Sequence, residues 1–192
     1  MLIDLTLLIT PKLAADAAGA EKKVLVGHLG THFDVMDKVF PLAYTELNGL
    51  VFDVSKAAGR DVEKRDVDLD SVRQGMFVAF HTGFAAAYGS DAYFHAHPQL
   101  SRALIEALIA KNIAIIGVDI AGMRRGREHE EMDRLCADNG VFVVENLVNL
   151  SRVLAYNARF IACTYPMNYE GVTGLPCRVV ARLPGVAEIA GR

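Results

Sequence analysis

The sequence predicts an α/β protein built around a mixed β-sheet. Three continuous apolar runs carry that expectation: residues 76–80 (MFVAF), 112–120 (NIAIIGVDI) and 141–144 (VFVV). Runs without polar alternation mark strands buried on both faces. Between them lie two stretches with the period of an amphipathic helix, residues 100–110 and 127–138. Strand, helix, strand, helix, strand in succession makes two βαβ units, hence parallel neighbours and right-handed crossovers. The early strands have no helix between them, which makes the sheet mixed rather than parallel.

Residues 2–6 (LIDLT) alternate enough for a first strand. Residues 11–19 are Ala-rich with no clear period and read as a loop. Residues 23–26 (KVLV) are apolar and β-branched, a second strand. Residues 41–48 suit a short helix, with Pro41 at its first position and Asn48-Gly49 as its stop. Residues 50–54 form another apolar strand, and the charged stretch 56–73 reads as solvated surface. After the strand at 76–80, Thr82-Gly83 opens a loop through residues 93–97. In the next helix Leu100, Ala103, Leu104, Ala107 and Leu108 recur at helical spacing. In the helix at 127–138, Met132, Leu135 and Cys136 share the apolar side, and Asn139-Gly140 supplies the stop. Residues 159–165 and 177–183 add late strands around a turn-rich stretch at 171–176.

A chain of 192 residues is expected to form a single domain over 1–192 with a sizeable core. Apolar residues make up 52% and mean hydropathy is +0.24, enough to leave apolar surface for a second subunit. A net charge of -3 argues against a nucleic-acid or anionic-membrane partner. Cys136, Cys163 and Cys177 are odd in number and widely spaced, which favours a reducing, cytoplasmic setting over a disulfide framework. The N-terminal apolar run lacks a positive flank and is interrupted by Asp4, so it is read as a buried strand and not a signal peptide.

The stretch with the most chemistry is residues 26–40, VGHLGTHFDVMDKVF. It places His28, His32 and Asp34 within seven residues and interrupts them with Gly30. Imidazole and carboxylate are ligands for borderline divalent metals such as Zn or Mn. Gly30 allows a tight turn that converges both flanks on one ion. The competing reading is a polar loop with solvated histidines. Elsewhere, polar groups follow buried strands: His81 and Thr82, Asp119, then Glu145 and Asn146. Sites in α/β sheets gather beyond the carboxyl ends of strands, which makes Glu145 the best further ligand.

These residues carry a resemblance. HLGTHFD resembles the HxGTHxD motif of the putative cyclase family of metal-dependent hydrolases, which includes bacterial kynurenine formamidase and isatin hydrolase. IDLT at 3–6, HTGF at 81–84, HPQLS at 97–101, IIGVD at 115–119, VVENLVNL at 143–150 and GLPCRVVARL at 174–183 are similar to further family signatures, in the family's order. The resemblance implies a swivelling β/α/β domain, a homodimer or homotetramer, and one or two divalent metals. It implies hydrolysis of an amide, formamide or cyclic amide by metal-bound hydroxide. By position, His28, His32, Asp34 and Glu145 would be ligands.

The sequence departs from the family at two places. The family motif continues as DxPxH, whose last His transfers protons; here Met36 replaces Pro and Lys38 replaces that His. Lys38 is therefore a candidate acid or base, a substrate anchor, or a plain surface lysine. Twelve residues before Glu145, formamidases place a ligand His, and this chain has Asp133. A carboxylate there makes the site harder and more negative, favouring Mn or Mg over Zn. His129, one turn earlier, either ligates, holds Asp133, or is solvated. His95 and His97 are read as capping or packing residues, and Arg124, Arg125 and Arg127 as a solvated basic loop. The expectation is a metal-dependent hydrolase of a small-molecule amide, with His28, His32, Asp34, Asp133 and Glu145 on the metal. Lys38 and His81 are the candidates for proton transfer. The alternative is a degenerate homologue that binds metal and acts as a ligand-binding or sensing module.

Overall fold

The computed structural model describes residues 1–10, 12, 27–57 and 59–183. The expected loop at 11–19 and strand at 23–26 lie outside the described residues, Lys12 excepted. Eight strands are described: β1 (Leu2–Asp4), β2 (His32–Asp34), β3 (Glu46–Asp53), β4 (Phe77–His81), β5 (Ile115–Val118), β6 (Phe142–Glu145), β7 (Arg159–Pro166) and β8 (Gly174–Arg182). Among the described residues four α-helices accompany them: α1 (Asp91–His95), α2 (Arg102–Ala110), α3 (Arg127–Asp138) and α4 (Leu150–Leu154).

The sheet is mixed, as expected, and it also closes. Its order is β1-β8-β2-β6-β5-β4-β3-β7, with β7 returning to β8. β3, β4, β5 and β6 are parallel neighbours, and the remaining pairs are antiparallel. β8 makes closure possible because of its length. One edge pairs with β2 at Gly174–Pro176 and then with β1 at Val180–Arg182, while the other pairs with β7. Closure removes the edges that an open sheet would expose.

Alternation along the strands sorts the core into two layers. Phe33, Phe77, Ile115, Val144, Phe160 and Val179 point into the barrel, joined by Leu150 and Val153 of α4. Val78, Phe80, Ile116, Val118 and Val143 point outward, beneath Leu104 and Leu108 of α2 and Met132 and Cys136 of α3. The central runs are apolar throughout because both faces are covered.

Two expectations need correction. The helix expected over 41–48 is only a 3-10 turn, Leu42–Tyr44, and β3 begins at Glu46. Residues 46–50 pair with β7, more than a hundred positions away, and this distant ladder overrides the local helix signal. Gly49 is not a helix stop: a Cβ there would meet the Phe160 ring at 2.5 Å. α1 lies inside the stretch expected as a loop after Thr82-Gly83, and α4 spans only five residues, too short for a helical period to show in the sequence. The charged stretch 56–73 is a run of 3-10 turns, anchored by buried Ala57, Val62 and Val72. Among the described residues no helix is long and apolar enough to cross a membrane.

Gly117 lies where β5 meets Phe77 and Leu147, and a Cβ would come within 2.8 Å of both side chains. Gly117→Val is expected to destabilise the fold by about 1–3 kcal/mol through overpacking. A urea titration reads this as a lowered midpoint with an unchanged slope.

Candidate metal centre

Register places the first part of the site. His32 stands opposite Glu145 and Asp34 opposite Val143 in the antiparallel β2–β6 pair. Opposed residues share a face, so His32, Asp34 and Glu145 join Val143 on the outer side of the barrel. That side is the one α3 covers. Met132 and Cys136 pack down on it, and their neighbour Asp133 is carried into the same space. His129 lies one turn earlier on the same helical face.

The side chains converge. Ligand-type atoms of His28, His32 and Asp34 lie within 4.8 Å of one another, as do those of Asp34, His129, Asp133 and Glu145. Asp34 belongs to both groups. His28 Nδ1 is 3.0 Å from His32 Nε2 and 3.2 Å from Asp34 Oδ1. His32 Nε2 is 3.7 Å from Glu145 Oε2. His129 Nε2 is 3.2 Å from Asp133 Oδ2 and 3.3 Å from Glu145 Oε1. His32, Asp34, Asp133 and Glu145 are buried, and His28 and His129 form the more open side at 24% and 37% side-chain exposure.

These groups fit a divalent cation. Three carboxylates are buried together, and Asp34 Oδ2 and Asp133 Oδ1 have no hydrogen-bond partner among the described residues. Buried like charges repel, and an unpartnered buried carboxylate oxygen is costly. Burial, Asp34 and Glu145 together hold the Asp133 carboxyl well above the usual carboxylate range. A metal ion held by these residues would satisfy the orphan oxygens and offset the charge.

Around this cluster lies a set of orienting bonds. His32 Nδ1 donates to the Gly30 carbonyl at 2.8 Å, turning Nε2 inward. His28 Nε2 meets Thr173 Oγ1 at 2.9 Å. The Asn146 amide also donates to the Gly30 carbonyl, and its oxygen accepts from the buried Tyr93 hydroxyl. Thr31 Oγ1 donates to the Asn146 carbonyl, so Asn146 clamps the turn at Gly30 from two sides.

The other candidates fall elsewhere. Lys38 forms an ion pair with Asp138 at 2.6 Å, with both side chains about half exposed. The chain leaves β2 through Met36 and Asp37, both with positive φ, and this turn carries Lys38 to the surface. His81 is not in the cluster either. Its Nδ1 pairs with Asp119 Oδ2 at 3.0 Å, across the ends of β4 and β5. His95 Nδ1 meets the Asp91 carbonyl one turn back in α1, His97 is buried against the Pro98 carbonyl, and Arg124 is engaged by Asp61 and Glu128. His129 carried three open readings from sequence, and the structure puts its Nε2 between two carboxylates. Thr173 carried no sequence signal, because it lies 145 positions from His28.

Burial by itself depresses the His32 imidazole, but the charges of Asp34 and Glu145 outweigh it and push its pKa up to about 9. A folded-state value above the ordinary 6.5 adds stability that is complete below 6.5 and lost as pH rises through about 9. Ionising Asp133 in its raised environment acts in the same direction. Protein stripped of metal by chelation is therefore expected to lose on the order of a few kcal/mol of unfolding free energy between pH 6.5 and 9. Urea midpoints at the two pH values test this, and a flat profile contradicts the charge arrangement.

Comparison with known proteins follows the same lines. Residues 3–123 match the family described as Putative cyclase. No curated protein matches the chain in sequence. Among solved structures, a potential metal-dependent hydrolase with cyclase activity superposes with a TM-score of 0.74 at 22% identity, covering 96% of this chain and 99% of its own. A structure described as a predicted metal-dependent hydrolase from Bacillus stearothermophilus gives 0.72 at 20% identity, covering 94% and 97%. Isatin hydrolase A from Labrenzia aggregata, bound to benzyl benzoate, gives 0.72 at 18% identity, covering 96% and 94%. At these identities the structures show a shared fold. The family match covers more than half of the sequence, and the chain belongs to the Putative cyclase family.

Proposed function

We propose that the protein is a metal-dependent hydrolase of a carbon–nitrogen bond in an amide, formamide or cyclic amide. The observation that carries this reading is the cluster of three buried carboxylates and three imidazoles with two orphan carboxylate oxygens. His28, His32, Asp34, Asp133 and Glu145 would hold the metal, with His129 joining Asp133 and Glu145. The carboxylate-rich half of the set favours Mn over Zn, because hard oxygen donors suit the harder ion. A divalent ion in such a site supplies Lewis acidity toward a carbonyl and a nucleophile usable near neutral pH.

The chain's own residues do the rest. The bonds to Gly30 and Thr173 hold two imidazoles in place, and burial beneath α3 excludes bulk water from the carboxylates. For proton delivery to the leaving nitrogen, His81 is the better of the two candidates. Asp119 is held by Thr82 N, Thr82 Oγ1 and Gly83 N, and pairs with His81 Nδ1. That bond raises the His81 pKa and favours the protonated donor form. Nε2 has no partner among the described residues and is available to a substrate. Lys38 is engaged at the surface. Its absence from the site also favours a second reading, a metal-binding homologue that recognises a carboxamide without cleaving it.

Chelated protein reconstituted with Mn or Zn should hydrolyse at least one of N-formylkynurenine, isatin, a hydantoin or a cyclic imide. Asp34→Asn should abolish both metal retention and turnover. His81→Gln should lower kcat by roughly 10²–10⁴, the usual span for a lost general acid, while Lys38→Ala should change kcat/KM by less than about threefold, as for an exposed ion pair. A metal-loaded protein that binds carboxamides in calorimetry yet cleaves none supports the binding module instead. A purified protein that takes up no divalent metal sinks both readings.

A further inference from the structure

Within the metal cluster, the two histidines of the opening motif are not held alike. His32 Nδ1 donates to the Gly30 carbonyl, an acceptor only, so Nε2 is the nitrogen it offers inward. His28 is reversed. Its Nδ1 faces His32 Nε2 and Asp34 Oδ1, at 3.0 and 3.2 Å, and its Nε2 is engaged 2.9 Å away by Thr173 Oγ1. The two rings meet edge to face at 71°, with centroids 4.7 Å apart. Two ligands four residues apart thus present opposite nitrogens to the same space.

Thr173 is well placed to set this difference. It immediately precedes β8, and its carbonyl accepts from Val35 N at 2.8 Å and Met36 N at 3.2 Å. The backbone of Thr173 is therefore tied to the exit of β2, the strand that carries His32 and Asp34. From the other side, Gly27 packs against the start of β8: with φ +81, a Cβ on it would collide with the Gly174 carbonyl oxygen. His28 is thus brought against Thr173 by a close backbone approach. A half-turn of the His28 ring about Cβ–Cγ would exchange Nδ1 for Cδ2 at the cluster and put Cε1 against the threonine hydroxyl. That orientation loses the metal-facing nitrogen and the outer hydrogen bond together.

We propose that Thr173 is a positioning residue that sets the orientation and tautomer of His28, with Nε2–H donated to Oγ1 and Nδ1 left free for a cation. This rests on the metal-site reading above. Histidine ligands generally need such a partner on the distal nitrogen, and removing one costs 10- to 100-fold in metal affinity. Thr173→Val keeps the shape and the backbone bonds and deletes the hydroxyl, whereas Thr173→Ser keeps the hydroxyl.

The experiment measures Mn and Zn affinity by chelator competition for the natural protein and both variants. It is paired with long-range ¹H–¹⁵N correlation spectra of the histidines, in the zinc-loaded and metal-stripped proteins. We expect Thr173→Val to lose about 10- to 100-fold in affinity and Thr173→Ser to stay within about threefold of the natural protein. In the metal-stripped proteins the His28 spectrum should show an Nε2–H tautomer that becomes mixed in Thr173→Val and is restored in Thr173→Ser. Equal affinities for all three proteins overturn the proposal while leaving the hydrolase reading intact. Equal losses in both variants also overturn it, because the hydroxyl is then not the cause. If the natural protein binds no metal, the hydrolase reading fails, and the metal-stripped spectra still decide the role of Thr173. An Nε2–H tautomer dependent on the hydroxyl supports it, and the same mixture in all three proteins rejects it.

Discussion

Three residues of backbone, His32–Asp34, hold this structure together in both senses. As β2 they bond to β6 on one side and β8 on the other, completing the ring of strands. The same register sets His32 opposite Glu145 and turns Asp34 to the same face. A slip of one residue would send both side chains into the barrel, where Phe33 now packs, and bring Phe33 out among the carboxylates. Burial of Phe33 inside and of His32 and Asp34 outside therefore specify one another. The candidate site is a consequence of barrel closure.

The electrostatics explain why such a site is costly to build and what it suits. Asp34, Asp133 and Glu145 are buried within a few ångströms of one another, beneath a helix and away from bulk water. Histidine partially compensates them, and burial works against any net charge left over. The structure answers with histidines held by their outer nitrogens, at the Gly30 carbonyl and Thr173, so that the inner nitrogens face the carboxylates. This pre-positions donors for a cation and leaves little rearrangement to its binding.

The family motif and this chain part where β2 ends. Positive φ at Met36 and Asp37 turns the backbone outward, and Lys38 finishes beside Asp138 at the surface. At the ends of β4 and β5 the chain has a separate acid–imidazole pair, His81 with Asp119, braced by three donors on the carboxylate. Cluster and pair share the carboxyl ends of parallel strands, where the backbone leaves the sheet and polar side chains can gather without breaking the ladder.

Much of this was legible in the residues themselves. The apolar runs of the central strands and the periodicity of α2 and α3 are local signals, and α3 keeps the bounds they suggest. The His28–Asp34 spacing is local too, because a period of two puts residues 32 and 34 on one face of any strand. The seven ordered fragments marked the family. What the chain could not reveal locally depends on pairing across long separations. β3 starts at Glu46 because β7 is there to pair with it, and the sheet closes because β8 is long enough to serve three neighbours. His129 enters the cluster, and Lys38 stays out, through the pose of a helix and the sign of two φ angles. Thr173 meets His28 only once β8 lies beside β2. The sequence by itself determined which chemistry the chain carries, since residue types and short spacings are written along it. The tertiary structure decided which of those residues share a space, since that follows from strand register and helix packing between distant segments.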